Sequence, residues 1–286
     1  MTDVDIQSQS TVGSRILHEM RASLPKPPTF DDKMEERAYL KFRLAQALRI
    51  FGKRGFDEGL AGHITVRDPI SPNCFWVNPL GLHFKLIQPS DLLLVDSTGT
   101  ILPESGPYKV LNVAAFMIHS RIHEARPDVM CAAHSHSFYG KVFAALGVGL
   151  DMVSLDACAF YDDYALYTQF GGVVQDEEEG KAIAKALGSN KAAILQNHGL
   201  LVATNTIEAS VHFYIALEKA CQVQLMADAA AAARKVPTVK IPDAQAASTG
   251  KIVGSLSIGW LAGGMEFGAL EGEEGVRFEF ECRPGQ

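Results

Sequence analysis

Apolar residues recur at helical spacing in several stretches of the chain. Leu40, Leu44, Leu48 and Phe51 lie three or four residues apart, which places them on one face of a helix. Acidic residues precede this run, as is typical of a helix N-terminus, and Gly55 follows it, as is typical of a helix end. The same reasoning predicts four further helices, over residues 110–124, 139–146, 176–187 and 207–227.

Short apolar runs lie between the predicted helices and are bounded by residues that favour turns. Asp, Pro, Ser, Asn and Gly separate these runs, which is typical of strands joined by tight connections. The predicted strands cover residues 63–67, 74–77, 91–95, 129–133, 191–195 and 200–203. Because strand and helix signals alternate along the chain, the sequence predicts an α/β fold.

Composition divides the chain into three parts. Residues 1–30 are rich in Ser and Thr and then in Pro, which predicts a loose N-terminal arm. Residues 31–235 carry the predicted helices and strands and form the main domain. Residues 236–286 are rich in glycine, and the apolar side chains of Trp260 and Phe267 need a packing partner. We therefore expect this C-terminal extension to pack at a subunit interface.

Charge and cysteine content exclude several classes of protein. The 286 residues include 26 Lys and Arg against 33 Asp and Glu, so the formal net charge of −7 argues against a nucleic-acid-binding protein. The five cysteines form no CxxC pair, which excludes a cysteine zinc site and suits a reducing compartment. We see neither a signal peptide nor an apolar run long enough to span a membrane, so we expect a cytoplasmic protein with no membrane partner.

Three of the nine histidines stand where a metal could bind. His134 and His136 follow an apolar run at i, i+2, and residues two apart on a strand point to the same face. His198 follows a second apolar run. Three imidazoles leave further coordination positions open, which is typical of catalytic metal sites, and they suit Zn, Fe, Ni or Cu. The alternative is that the HxH pair packs in the core without a metal.

Three motifs together resemble those of a known family. They are Ala-Arg-Pro-Asp-Val at 125–129, His-Ser-His-Ser at 134–137 and Asn-His-Gly at 197–199. Their order and spacing resemble the class II aldolase/adducin head-domain family over residues 35–230. The segment 62–67, Gly-His-Ile-Thr-Val-Arg, is similar to the family's Gly-Asn-x-Ser-x-Arg strand.

The resemblance implies both an architecture and a ligand set. The family fold is a three-layer α/β/α sandwich with a central mixed sheet, and its members commonly form ring-shaped tetramers with sites near subunit boundaries. By resemblance, His134, His136 and His198 bind one divalent metal ion per subunit, either Zn or Fe(II). A homo-oligomer, most simply a homotetramer, is the expected assembly.

The substrate-binding segments depart from the family pattern. By resemblance, Gly62, His63, Thr65 and Lys109 contact the substrate, but His63 and Thr65 replace the family's Asn and Ser. The loop that ends at Lys109 lacks the paired serines of the family's phosphate-binding loop. A sugar phosphate is therefore a poor expectation, and a different small anionic substrate fits better.

A second departure concerns acid–base chemistry. Family aldolases carry a catalytic glutamate four residues before the helix histidine that corresponds to His119, and Ala115 occupies that position here. Alanine has no proton to give or take. Tyr139, Asp163 and Tyr164 are the substitute candidates, although each has a structural explanation as well.

Three functions fit this sequence. The first is a metal-dependent lyase that performs aldol cleavage or decarboxylation, of which decarboxylation tolerates Ala115 best because it needs no base to begin. The second is a non-haem Fe(II), O2-dependent oxygenase. Segments 54–59, 62–69 and 158–161 are similar to those of a subgroup that includes prenylbenzoate-forming oxygenases of aminocoumarin antibiotic pathways. The third is a non-catalytic, adducin-like interaction domain, against which the three intact histidines argue.

Overall fold

The computed structural model describes residues 24–172 and 177–279. Most of the predicted arm at 1–30 lies outside these residues, as does Asp176, the first residue of a predicted helix. The helices are α1 (Lys33–Arg54), α2 (Val113–Ala125), α3 (Phe138–Ala144), α4 (Glu177–Leu187), α5 (Ile207–Arg234), α6 (Asp243–Val253) and α7 (Leu256–Glu274). The strands are β1 (His63–Arg67), β2 (Phe75–Val77), β3 (Leu93–Val95), β4 (Cys131–Ser135), β5 (Tyr164–Tyr167), β6 (Ala192–Leu195) and β7 (Gly199–Thr204).

The seven strands form one mixed sheet in the order β3-β2-β1-β4-β7-β6-β5. Neighbouring strands pair antiparallel except β5 and β6, which are parallel. Residues along β4 alternate between the two faces, because Ala133 packs into one hydrophobic core and Ala132 into another. The first core also holds residues of α1, α3, α5 and α7, and the second holds residues of α2 and α4. This arrangement confirms the predicted three-layer α/β/α sandwich.

Local chemistry explains where the elements begin and end. The Asp32 side chain caps α1 by accepting a hydrogen bond from the Met34 amide at 2.7 Å, and Gly55 ends it in the left-handed conformation. The strand predicted at 91–95 begins only at Leu93, because Pro89–Asp91 forms a 3-10 turn. The Asp91 carboxylate closes that turn by accepting from the Gln88 amide.

The C-terminal extension folds into two helices that pack on their own chain. Phe267 is fully buried in the core shared with α5. Gly263 permits this contact, since a Cβ there would lie 2.1 Å from the Glu208 carbonyl oxygen. Phe267 therefore finds its partner within the chain and does not need a neighbouring subunit, whereas an interface role for the extension as a whole stays a prediction.

Candidate metal centre

The sheet brings the three predicted histidines together. His134 is the second-last residue of β4, where it pairs with Leu201 of β7, and His136 follows just after the strand. His198 lies in the loop that joins β6 to β7. One ligand nitrogen from each of the three imidazoles lies within 4.8 Å of the other two. Antiparallel pairing of β4 with β7 is thus what converts two distant motifs into one cluster.

The chemistry of these side chains suits a divalent metal. The His134 Nδ1–H donates to the Leu200 carbonyl oxygen at 2.9 Å, which leaves Nε2 for a metal ion. Burial lowers the pKa of His134 well below its usual value, lowers that of His136, and lowers that of His198 to about 4. All three imidazoles are therefore neutral near pH 7, and a metal ligand must be neutral. The cluster fits a metal ion on its donor set.

A tight hairpin loop presents His198. Asn197 adopts a left-handed conformation with φ of 57°, which Asn tolerates better than most residues. Gly199 follows where the two strands approach closely, because a Cβ at this position would lie 2.5 Å from the Ser135 carbonyl oxygen. The backbone conformation thus explains the Asn before His198, and the close approach of the strands explains the Gly after it.

Replacing Gly199 with alanine should therefore displace the hairpin from β4. We expect the free energy of unfolding to fall by about 1–3 kcal/mol, the usual cost of overpacking. Gly264→Ala on α7 is the matched control, since a Cβ there meets nothing within 4 Å and alanine is the better helix former. Urea denaturation of both variants would measure the difference. Equal stability of Gly199→Ala and the wild type would contradict the close approach described here.

Helix α5 holds the segment that carries His136. The Glu218 carboxylate accepts hydrogen bonds from the Ser137 hydroxyl at 2.5 Å, the Tyr139 amide at 2.8 Å and the Gly140 amide at 2.7 Å. It thereby caps the N-terminus of α3 from another helix. The Tyr214 hydroxyl, one turn earlier on α5, donates to the Ser135 carbonyl oxygen at 2.9 Å. Side chains of α5 thus hold the chain both before and after His136.

The three histidines open onto a cleft of about 470 Å³, which we call the histidine cleft. Much of its wall is apolar, contributed by Ala61, Ala114, Ile118, Ala145 and Phe170. Besides histidine, its polar side chains are those of Asn112, Lys141 and Asn197. Within 24–172 and 177–279, no Asp or Glu lines it. The cleft therefore offers imidazoles, amides and one ammonium group to a ligand, and no carboxylate.

Only two of the four predicted substrate contacts line this cleft. Gly62 and His63 belong to its wall. Thr65 lies deeper, where its hydroxyl hydrogen-bonds to His119 Nδ1 at 2.7 Å and His123 Nε2 at 2.8 Å. Lys109 is exposed and stands away from the wall. In the described conformation the Thr65 hydroxyl is thus used by two histidines of the fold, and Lys109 is not part of the cleft wall.

A fourth histidine, His63, lies next to the three predicted metal ligands. Its ring centroid lies 5.1 Å from that of His134 and 4.4 Å from that of His119. Burial lowers the pKa of His63 well below its usual value, and nearby histidines lower it further. A neutral His63 adds no positive charge beside the candidate metal position, so it does not compete electrostatically with a cation there.

The substitute acid–base candidates lie elsewhere. Asp163 pairs with Lys191, whose side chain is buried, and its carboxylate also accepts from the Lys191 amide. The Tyr164 hydroxyl accepts a hydrogen bond from the Leu150 amide at 2.7 Å. Tyr139 is partly buried near Glu218 and does not line the histidine cleft. The structure therefore gives each of these three residues a structural position.

Ala115 is buried in the first turn of α2, and its neighbours Ala114 and Ile118 line the cleft. No carboxylate reaches the site from this helix. Sequence reasoning missed Lys141 and Phe170, which do line the cleft. A usable signal existed for Lys141, because it is the first cationic residue after the HxH pair and lies on the helix predicted there.

Comparison with known proteins identifies the family. Residues 42–225 match the model of the Class II Aldolase and Adducin N-terminal domain. This match covers more than half of the chain, so the protein belongs to that family, as its motifs predicted.

Several relatives are similar over most of their length. One relative is the 4-hydroxy-3-prenylphenylpyruvate oxygenase/4-hydroxy-3-prenylbenzoate synthase of Streptomyces roseochromogenus subsp. oscitans. It is 43% identical, and the match covers 82% of this chain and 82% of its own. Decarboxylase NovR of Streptomyces niveus is 42% identical over 82% of this chain and 85% of its own. The solved structure of L-fuculose 1-phosphate aldolase from Glaciozyma antarctica PI12 is 47% identical, covers 87% of this chain and 95% of that one, and superposes with a TM-score of 0.80.

These relatives carry the names of enzymes, and this chain holds the three-histidine cluster intact. The protein is therefore an enzyme of the class II aldolase family and not merely an interaction domain. In the part of the chain that is described, no helix is both long and apolar enough to cross a membrane.

Proposed function

We propose that this enzyme uses a divalent metal held by His134, His136 and His198 to cleave the carbon–carbon bond next to a carboxylate, releasing CO2. One observation carries this proposal: three neutral imidazoles open onto a cleft whose described wall contains no carboxylate. Aldol chemistry of the family type needs a positioned acid or base, and none of the described acidic side chains lines this cleft. Decarboxylation needs none at its first step.

The charge of the cleft favours an anionic substrate. Three neutral imidazoles leave the +2 charge of a bound metal uncompensated. Lys141 adds a further positive charge to the wall. The apolar remainder, including Ile118 and Phe170, suits a substrate whose body is apolar or aromatic rather than a sugar. We therefore propose a small organic acid with an apolar body.

The reaction balances without a protein carboxylate. In a 3-oxo acid, the bond between the carboxylate and the neighbouring carbon breaks, CO2 leaves, and the electron pair stays on the remaining fragment, which takes one proton from water. When bound, the metal would supply Lewis-acid polarisation of the substrate carbonyl. The chain's own contribution is to orient the acid, through Asn112, Lys141 and Asn197, and to cover its body with apolar side chains.

A second candidate is oxygenation at an Fe(II) site. It is supported by the relative that is 43% identical and is named an oxygenase, and by an all-imidazole donor set that suits iron as well as zinc. The two candidates share the same ligands, but only oxygenation requires iron and O2.

Two assays distinguish the candidates. Benzoylacetate has a carboxylate, a carbonyl two carbons away and an aromatic body, so the zinc-loaded or iron-loaded protein should release CO2 and acetophenone from it under nitrogen. Phenylpyruvate in air should cause O2 uptake only if the iron enzyme is an oxygenase. Metal content would be measured by mass spectrometry on protein purified without added metal. Neither CO2 release nor O2 uptake above the rate of the metal-free protein would refute both candidates.

The expected assembly is a homotetramer with the cleft near a subunit boundary. Exposed apolar side chains beside the cleft support it, among them Phe138, Val142 and Leu146, which recur every four residues on and just after α3. Light scattering at micromolar concentration tests it, and a monodisperse monomer would contradict it.

A further inference from the structure

We propose that Lys141 binds the carboxylate of the substrate, and that Glu58 is the internal counter-ion which the substrate displaces. This inference rests on the proposed function. It assigns the anion-binding group of the histidine cleft, for which the family motifs gave only Lys109, now placed away from the wall.

The first support is the position of Lys141 on α3. Among the residues described, it is the only lysine or arginine that lines the histidine cleft. It lines the same cleft as His134, His136 and His198, so its ammonium group and the candidate metal position face one cavity. One small acid can therefore reach both.

The second support is the partner that Lys141 has in the described structure. Its ammonium group forms an ion pair with the Glu58 carboxylate. Glu58 belongs to the loop before β1, and Ala61 and Gly62, three and four residues later in the same loop, form part of the cleft wall. The pair thus joins two sides of the cleft at its edge without placing Glu58 in the wall.

The third support is the exposure of this pair, which decides whether a substrate can break it. The two side chains are 37% and 41% exposed. At this exposure, the ion pair shifts the equilibrium between the paired and the separated side chains by no more than about fivefold. A carboxylate that contacts Lys141 inside the cleft is further from solvent, so it can replace Glu58 at little cost. A buried ion pair at the same place would have blocked the exchange.

The exchange also explains how Lys141 is neutralised in both states of the enzyme, although no carboxylate of the described chain lines the cleft. In the free enzyme, Glu58 neutralises Lys141 from outside the wall. In the complex, the substrate neutralises Lys141, and Glu58 returns to water with its charge solvated. The expected specificity is therefore for a carboxylate next to an apolar body, with neutral analogues binding poorly.

Isothermal titration of the metal-loaded protein with 3-phenylpropionate, and with its neutral amide, tests this assignment. Lys141→Met should weaken binding of the acid about tenfold, as expected for a lost charge-assisted hydrogen bond, and leave the amide unchanged. Glu58→Gln should tighten binding of the acid by up to about fivefold, since the competing partner is gone. Lys181→Met, an exposed lysine on α4 with the same change in net charge, is the control.

The outcomes separate this inference from the proposed function. Suppose that the wild-type protein binds metal and 3-phenylpropionate, and that Lys141→Met binds the acid equally well. This result would overturn the assignment of Lys141 alone. Equal weakening of acid and amide would also overturn it, because that pattern reports damage to the cleft. Wild-type protein that binds neither metal nor acid would overturn the proposed function and this inference together. Unchanged metal content in all variants is expected in the supporting case.

Discussion

Replacing His198 with alanine is expected to weaken metal binding by more than about 100-fold, since loss of a ligand exceeds the effect of losing a supporting contact. Activity should fall to the rate of the metal-free protein. His198 is suited to this test because it lies in the hairpin loop between β6 and β7 and lines the cleft, not within a strand. Its removal should therefore leave the sheet and the neighbouring ligand His134 in place.

The matched control is His212→Ala. His212 lies on α5 beside a different cavity and takes no part in the histidine cleft. Metal affinity measured by competition with a chromogenic chelator should fall for His198→Ala and hold for His212→Ala, with circular dichroism confirming that both variants fold. If His198→Ala retains full metal affinity, the three-histidine site is wrong.

Glu218→Ala has the largest expected effect on stability. Its carboxylate accepts hydrogen bonds from one hydroxyl and two backbone amides at the start of α3, and the residue is only 6% exposed. Removing the acceptor leaves those donors without their partner, so the free energy of unfolding should fall by about 3 kcal/mol or more. Because α3 follows His136 directly, metal affinity should also drop, by about tenfold, as for a lost supporting contact.

Glu273→Ala is the control for this change. Glu273 pairs with Lys53 on the surface, where both side chains are largely exposed, so its loss should cost less than about 1 kcal/mol. Chemical denaturation compares the two variants, and metal titration shows whether the cap also positions His136. A Glu218→Ala protein as stable as Glu273→Ala would show that water replaces the carboxylate at no cost.

The sequence alone determined the elements and the three metal candidates. Helical and strand periodicities are local properties, so they predicted the helices α1 to α5 and every strand except β5, with differences at the ends of several elements, but they did not predict α6 and α7. The i, i+2 spacing of His134 and His136 predicted that their side chains lie together, and their ring centroids are 5.2 Å apart although β4 ends at Ser135. The Asn-His-Gly motif also follows from local geometry, because the short loop between β6 and β7 holds Asn197 in the left-handed conformation and Gly199 where the backbone approaches β4 closely. The family followed from the order of these motifs.

Tertiary structure decided what surrounds those histidines. Lys141 and Phe170 line the cleft because α3 and the segment after β5 meet there in the folded chain, and no local pattern encodes that packing. The same is true of Thr65, which the family resemblance placed beside the substrate and whose hydroxyl here hydrogen-bonds to two buried histidines of α2. Side chains far apart in sequence meet only when the whole sheet has formed.

The C-terminal extension shows most clearly what local sequence patterns do not predict. Its many glycines weaken the helical signal, because glycine costs about 1 kcal/mol relative to alanine inside a helix. The structure nevertheless forms α7 there, since Gly259 and Gly263 let the helix approach α5 closely enough to bury Phe267. A residue that disfavours a helix locally thus becomes necessary for its packing, and that reversal depends on a contact between distant parts of the chain.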